Sequence, residues 1–280
     1  MYLKILTEPK LLFRLIVKMA TLYQISDLVE AVVVSRPSKS IKSPYMADIW
    51  LNDQTTLAHT PALGCCGLCE KTSNVLVAKS KSENAKCEYV IYCSVLDLGG
   101  DKEVVVGIHP KLAENVVENA LKQNCLKTLL NVQQYKREQT VVCGIMKSRF
   151  DFMGVDSNGQ SFIMEVKSVP LCFTNTDGTK TAFFPDGYRK KKGDVVSPRA
   201  LKHVQELEEI KRVAHSYRCI LCFVIQRGDA TQFQTAITDP EYKRAVKQAH
   251  QTGVELITLC INWSKTGTAT FVCCDLPFDL

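Results

Sequence analysis

The hydrophobic pattern of the first third of the chain is that of short β-strands. From about residue 24 to residue 97, runs rich in Val, Ile and Tyr alternate with clusters of Ser, Pro, Asn and Lys. Four of these runs read LVEAVVVSR, YMADIWL, NVLVAKS and CEYVIYCSVL. Short strands at this spacing are typical of a small barrel or a sandwich, so the pattern predicts an all-β unit.

The hydrophobic period changes after residue 105. Apolar residues recur at helical spacing in three segments, at residues 109–123, 197–215 and 240–253. Strand-like runs lie between the helices, at residues 140–146, 150–155, 161–169, 219–226 and 254–263. This alternation predicts an α+β fold in which a mixed β-sheet is flanked by helices. The polar stretch 174–198 predicts a long loop.

The length of the chain and the change of pattern suggest two folded units. The 280 residues suffice for one large domain or two medium ones. We expect an N-terminal extension over residues 1–22, a barrel over 23–100 and a mixed α+β domain over 101–280. The length of the first unit suits a five-stranded barrel of the oligonucleotide-binding (OB) type.

Charge and hydropathy narrow the classes of partner. The net charge of +6 permits an anionic partner such as nucleic acid without requiring one. No apolar run approaches the roughly 20 residues of a membrane-spanning helix, so we expect no membrane partner. Composition does not predict an oligomeric state.

Cysteine usage indicates an intracellular protein. The chain has 13 cysteines, and several of them, such as Cys93, Cys143, Cys219 and Cys222, lie inside apolar strand-like runs. Buried reduced thiols, with no secretory signal, favour a cytoplasmic location. Residues 1–20 are basic and partly amphipathic, and three interpretations stay open for them: an organelle-targeting presequence, a plain N-terminal extension or a true start at Met19.

Two charges interrupt an otherwise apolar strand, SFIMEVKSV. Side chains two residues apart in a strand point the same way, so Glu165 and Lys167 share one face while Met164 and Val166 share the other. Burying either charge alone would be costly. This face must therefore pair the charges, meet water or hold a metal.

A third charge stands in the preceding strand. Asp151 lies between two phenylalanines, and the short turn 156–159 predicts a hairpin that brings Asp151 near Glu165. Two adjacent carboxylates suit Mg²⁺ or Mn²⁺, beside which a lysine can help activate water against a phosphodiester. The alternative is a structural ion pair of Glu165 with Lys167 or Arg149.

Several segments together carry a family resemblance. SRFDF, EVKSVPL, FFPDG, RALKHVQEL, CFVIQR and GVEL occur in an order and spacing that resemble the sugar fermentation stimulation protein A (SfsA) family. The Asp…Glu-x-Lys pattern resembles that of the PD-(D/E)XK nucleases. The resemblance implies an OB-like barrel followed by a restriction-endonuclease-like domain, and a protein that binds DNA.

The resemblance also implies roles for individual residues. Asp151 and Glu165 match the metal-binding acids and Lys167 the catalytic lysine; Glu114, on the first helix, either reaches the metal or faces solvent. Backbone phosphate contacts are expected from basic side chains near the acids: Arg149, Arg189, Lys190, Lys191, Lys192, Arg199 and His203. A solvated loop for the run 189–192 and a plain surface position for His203 remain alternatives.

Zinc is not expected. The segments CCGLC (65–69) and CILC (219–222) each contain a Cys-x-x-Cys pair, which is a common zinc motif. Cys219 and Cys222, however, lie in a predicted strand, where positions i and i+3 face opposite ways.

Three functions are compatible with these patterns. The first is a DNA-binding, Mg²⁺- or Mn²⁺-dependent nuclease that uses Asp151, Glu165 and Lys167. The second is a non-catalytic module that uses a nuclease fold to bind nucleic acid or regulate transcription. The third is an adaptor in which the acids form a buried ion-pair network.

Overall fold

Strands and three α-helices form most of the computed structural model, which describes residues 20–63, 65–82, 85–100, 102–144, 146–185 and 195–280. The helices are α1 (Pro110–Lys122), α2 (Pro198–Val213) and α3 (Pro240–Thr252). The strands, in chain order, are β1 (Thr21–Gln24), β2 (Val29–Ser35), β3 (Met46–Leu51), β4 (Gln54–His59), β5 (Asn74–Lys79), β6 (Tyr89–Asp97), β7 (Glu103–Gly107), β8 (Gln134–Cys143), β9 (Met146–Val155), β10 (Ser161–Val169), β11 (Cys172–Thr174), β12 (Lys180–Phe184), β13 (Arg218–Ile225), β14 (Gln232–Thr235), β15 (Glu255–Trp263), β16 (Thr268–Cys273) and β17 (Phe278–Asp279).

Five N-terminal strands close into a ring. Strands β4, β3, β2, β5 and β6 pair in that order, and β4 then pairs in parallel with β6, where Ala58 lies opposite Tyr89. The interior contains β-branched side chains such as Val33, Ile49 and Val77, which suit a pleated core. The ring has the strand number expected of the barrel, and its assignment to the OB type stays a prediction.

A long mixed sheet continues from this ring. Strand β7 pairs with β6 and with β15, after which β13, β10, β9 and β8 follow. Strands β10, β13 and β15 are mutually parallel, whereas β8 and β9 are antiparallel neighbours at one edge. The predicted α+β fold with a large mixed sheet is confirmed.

Helices cover both faces of this sheet. The apolar side of α1 packs against Met164 and Val166 of β10, and α2 and α3 pack on the opposite face with Ile163 and Val169. Strand β10 is therefore buried on both sides, which explains its nearly continuous apolar sequence.

Helices α2 and α3 begin at the capping residues that their sequences contain. The side chain of Ser197 accepts a hydrogen bond from the backbone N–H of Ala200, and Pro198 is the first residue of α2. Asp239 caps α3 in the same way. Gly253 ends α3 at φ 104°, a left-handed conformation that glycine adopts without steric cost.

The structure differs from the sequence prediction in its smaller elements. Strands β11, β12, β14 and β17 form a separate four-stranded sheet. Residues 180–184, expected within a long loop, are β12, because they pair with β14, a partner distant in sequence. The predicted strand 140–146 is divided between β8 and β9 by a turn that includes Gly144.

The thirteen cysteine side chains are buried or half-buried. Cys219 packs in the core on the α2 side of the sheet and Cys222 in the core on the α1 side, so these two thiols face opposite ways. In the described part of the chain, no helix is long and apolar enough to cross a bilayer.

Candidate active site

The three predicted catalytic residues lie together at the centre of the large sheet. Asp151 is on β9, and Glu165 and Lys167 are on β10, which pairs with β9 as the predicted hairpin. Glu165 and Lys167 lie between Ile163 and Val169 on the face that packs against α2. The alternation expected from the sequence is thus present, but this face is buried core.

Glu165 is enclosed, and its two oxygens differ. Its exposed fraction is 3%, and Oε1 accepts a hydrogen bond from Lys167 Nζ at 2.5 Å and contacts His203 Nδ1 as well. Oε2 is buried with no hydrogen-bond partner among the described residues. Buried polar atoms are nearly always satisfied, so an unpaired carboxylate oxygen needs an explanation such as a bound cation or water.

The charge state of Glu165 follows from its neighbours. Burial acts to raise its pKa, but the hydrogen bond from His203 and the positive charge of Lys167 outweigh burial, and the pKa lies below its ordinary value. Glu165 is therefore ionised near neutral pH. Since an ionised carboxylate only accepts hydrogen bonds, His203 must be the donor through its Nδ1–H.

Asp151 has the opposite electrostatic character. Its Oδ2 accepts a hydrogen bond from the backbone N–H of Val166 at 2.7 Å. Burial, followed by the negative charge of Glu165, raises the pKa of Asp151 to about 7. The negative charges of the two carboxyl groups therefore repel each other.

Glu114 is a third acid close enough to influence the pair formed by Asp151 and Glu165. It is half-buried on α1, and its charge contributes to the raised pKa of Asp151. Its Oε2 accepts a hydrogen bond from Arg137 Nη2 at 2.7 Å, and Arg137 also binds Glu118 at 2.8 Å. Glu114 is thus held by an arginine that the sequence prediction missed. The i, i+4 spacing of Glu114 and Glu118 on one helix face was a signal for such a partner.

The predicted phosphate contacts are distributed unevenly. Arg149 has a 61% exposed side chain, which pairs with Glu138 at 2.8 Å. Arg199 is exposed in the first turn of α2. Residues 189–192, with Arg189, Lys190, Lys191 and Lys192, lie outside the described residues.

His203 is not at the surface, where both predicted readings placed it. Its exposed fraction is 7%, and its ring lies 5.9 Å from the ring of Phe150. The cause is its helix position: His203 stands between the inner residues Leu201 and Val204 on the side of α2 that packs on the sheet. A surface phosphate contact therefore does not fit its position.

A buried tyrosine was also missed. Tyr242 of α3 is fully buried, and its hydroxyl has no hydrogen-bond partner among the described residues. Burial, and then the charge of Glu165, raise the pKa of Tyr242 far above its ordinary value. Because α3 is distant from β10 in sequence, no spacing in the chain signals this proximity.

The donor set fits a hard divalent cation in part. Glu165 Oε2 is unpaired, and a cation would relieve the repulsion between Glu165 and Asp151; carboxylate oxygens are the ligands that Mg²⁺ and Mn²⁺ prefer. Within the described ranges, no three His, Cys, Asp or Glu side chains form a ready metal cluster. Protein carboxylates would thus supply two ligands, as is common for Mg²⁺, which keeps several waters.

Comparison with protein families identifies a single domain type over much of the chain. Residues 111–267 match the family model described as the sugar fermentation stimulation protein RE domain. This segment runs from α1 to the turn before β16 and includes every site residue described above.

Curated relatives extend the similarity to the barrel. A sugar fermentation stimulation protein homolog of Acaryochloris marina is 30% identical over 239 residues, which cover 84% of this chain and 88% of the relative. A homolog of Citrifermentans bemidjiense is 32% identical over 225 residues, covering 79% and 87% respectively. The similarity therefore spans most of both chains.

A solved structure shares the fold. The structure of Pyrococcus furiosus SfsA in complex with Ca²⁺ covers 93% of this chain and 100% of its own, with a TM-score of 0.74 and 19% sequence identity. At this identity the likeness concerns the fold alone.

Proposed function

Because the chain belongs to the sugar fermentation stimulation protein family, we propose that it is a divalent-cation-dependent phosphodiesterase that binds and cleaves nucleic acid, with DNA as its substrate. The observation that carries this proposal is the buried, unpaired Oε2 of Glu165 beside a second carboxyl group, Asp151, whose pKa is raised to about 7. Pairs of acids with such divergent environments are concentrated at functional sites.

Each member of the cluster has a proposed role. Asp151 and Glu165 would hold Mg²⁺ or Mn²⁺, with Glu114 at the margin of the site. When bound, such a cation would polarise the phosphodiester and favour the ionisation of water. Lys167, which lies 2.5 Å from Glu165 Oε1, would orient the attacking water through its ammonium group.

Two observations support a cation rather than a permanently closed ion pair. Lys167 and His203 both contact Oε1, which leaves the second oxygen of Glu165 without a partner in the described structure. The P. furiosus relative was solved with Ca²⁺, an oxygen-seeking cation like Mg²⁺ and Mn²⁺. We extend the binding of a divalent cation to this chain as part of the proposal.

Binding of the DNA backbone would depend on basic residues near the site. Arg199 is exposed at the start of α2, and Arg149 pairs with Glu138 only at the surface, so a phosphate group can replace that partner at small cost. From their position in the sequence, we also propose that the DNA backbone is contacted by Arg189, Lys190, Lys191 and Lys192.

We propose a cytoplasmic location for the protein as well.

The test is a cleavage assay on labelled single- and double-stranded DNA and RNA with Mg²⁺, Mn²⁺ or chelator. Wild-type protein is compared with Asp151→Asn and Lys167→Ala, and with the matched surface controls Asp53→Asn and Lys247→Ala. We expect cation-dependent cleavage by the wild type and both controls, and loss of cleavage in the two site variants. Cleavage that persists in both site variants would contradict the assignment of Asp151 and Lys167 to the active site.

A second function has its own support. The contacts of Glu165 with Lys167 and His203 already form a buried ion-pair network, and no three-ligand cluster exists in the described residues. A non-catalytic module that binds nucleic acid would tolerate such a network. Salt-sensitive DNA binding without cleavage under any cation would favour this module.

A further inference from the structure

Glu165 is anchored at one oxygen only. Lys167 and His203 both contact Oε1, while Oε2 is buried and unpaired in the described structure. Lys167 has a flexible stem of four methylene groups, so it cannot by itself define the plane of the carboxylate. The direction in which Oε2 points therefore depends on the second, more rigid donor, His203.

His203 is held firmly enough for this task. Its helix is capped by Ser197 and fixed on the sheet by Leu201 and Val204, and its ring packs 5.9 Å from that of Phe150. With an exposed fraction of 7%, the imidazole has little freedom to leave the carboxylate. A second partner that fixes the orientation of a metal ligand commonly affects metal affinity strongly.

We propose that His203 is a positioning residue, whose Nδ1–H holds Oε1 of Glu165 so that Oε2 stays free for the divalent cation. This inference rests on the proposed function. It assigns to His203 a role inside the protein, through Glu165, and no contact with the nucleic acid.

Three substitutions separate this role from packing. In His203→Asn the amide nitrogen takes the place of Nδ1 and can still donate to Oε1, whereas in His203→Gln the amide lies where Nε2 was. His203→Ala removes the donor altogether. The neighbour Lys202 provides the control Lys202→Ala, because its side chain is 64% exposed and its ion pair, at 3.5 Å, is with Glu206 and not with Glu165.

The measurement is Mn²⁺ binding to each folded protein by titration calorimetry, without DNA. We expect the dissociation constant for Mn²⁺ to rise about 10-fold or more in His203→Ala and His203→Gln. His203→Asn and Lys202→Ala should remain close to wild type. DNA affinity in chelator should be the same in all five proteins, since His203 does not contact DNA in this account.

The results distinguish a failed inference from a failed function. Unchanged Mn²⁺ binding in both His203→Ala and His203→Gln would overturn the positioning role, as would lower DNA affinity with unchanged Mn²⁺ binding. If wild type and Lys202→Ala bind no Mn²⁺, the proposed cation site is wrong and the positioning role falls with it. Should His203→Ala fail to fold, the contrast between Asn and Gln still decides the question.

Discussion

At the scale of single residues, the surroundings of two neighbouring carboxyl groups shift their pKa values in opposite directions. Glu165 receives two nitrogen donors and has a lowered pKa, whereas Asp151 receives one backbone N–H and has its pKa raised to about 7. The folded protein without a cation therefore carries an unfavourable carboxylate at neutral pH. Because this carboxylate lowers the free energy of unfolding, a measurement of stability can test its charge state without an assay of activity.

Asp151→Asn should stabilise the cation-free protein at pH 8. The folded-state pKa of Asp151 is raised from 3.8 to about 7, so the folded state favours the protonated form and loses stability as pH rises between these values. For this half-buried group we expect a gain of up to about 2 kcal/mol in the free energy of unfolding. Urea unfolding in chelator measures it, and the gain should be smaller at pH 5 and nearly absent below the ordinary pKa of 3.8.

Removal of the charge of Glu165 should destabilise the protein, in contrast to the stabilisation expected for Asp151→Asn. Glu165→Gln leaves the buried ammonium group of Lys167 without its charge partner, and we expect a loss of about 3 kcal/mol. The same urea unfolding experiment measures the loss. A neutral effect would contradict the buried pair formed by Glu165 and Lys167.

The residues of the acid–acid–lysine cluster were predictable, because strand alternation and a short hairpin turn place Asp151, Glu165 and Lys167 together. The contact of His203 with Glu165 was not, since the two residues are 38 positions apart and no periodicity links them. Packing of α2 on the sheet, which only the three-dimensional structure shows, turns His203 inward.

At the scale of elements, the helices were predicted to within a few residues because their caps and apolar faces are explicit. Strand β4 was missed because its sequence, QTTLAH, is largely polar. Strands β11, β12, β14 and β17 were missed because they are short. Strand β12 also pairs with β14, and β14 with β17, over long separations in sequence.

Ser197→Ala should weaken α2, which carries His203. Loss of the hydrogen bond to the backbone N–H of Ala200 is expected to cost about 1 kcal/mol. Ser197→Asp can still cap the helix, so it should keep most of the stability. Thermal unfolding of the two variants measures the difference, and equal losses would contradict the capping role.

At the scale of the molecule, one ion-pair cluster connects the small sheet to the large one. Asp229 binds Lys180 of β12 at 2.6 Å and also Arg227, which follows β13. Burial acts to raise the pKa of Asp229, but the two cations outweigh it and lower the pKa to about 2.

This cluster should contribute to stability at neutral pH and lose its contribution in acid. Because the folded pKa of Asp229 is below its ordinary value of 3.8, the stabilisation is complete above about pH 4 and declines toward pH 2. Asp229→Asn should cost about 2 kcal/mol at pH 7 and much less at pH 2. A loss that is independent of pH would show that the charge of Asp229 is not responsible.

If Asp151 and Glu165 hold a cation that is used to cleave DNA, the rate of cleavage must depend on both the cation and Asp151. Wild-type protein and Asp151→Asn are freed of metal with chelator, and DNA cleavage is followed after Mn²⁺ is added. We expect cleavage that starts when Mn²⁺ is added to the wild type and is at least about 100-fold slower in Asp151→Asn. Equal rates in the two proteins, or a wild-type rate that does not depend on Mn²⁺, would contradict it.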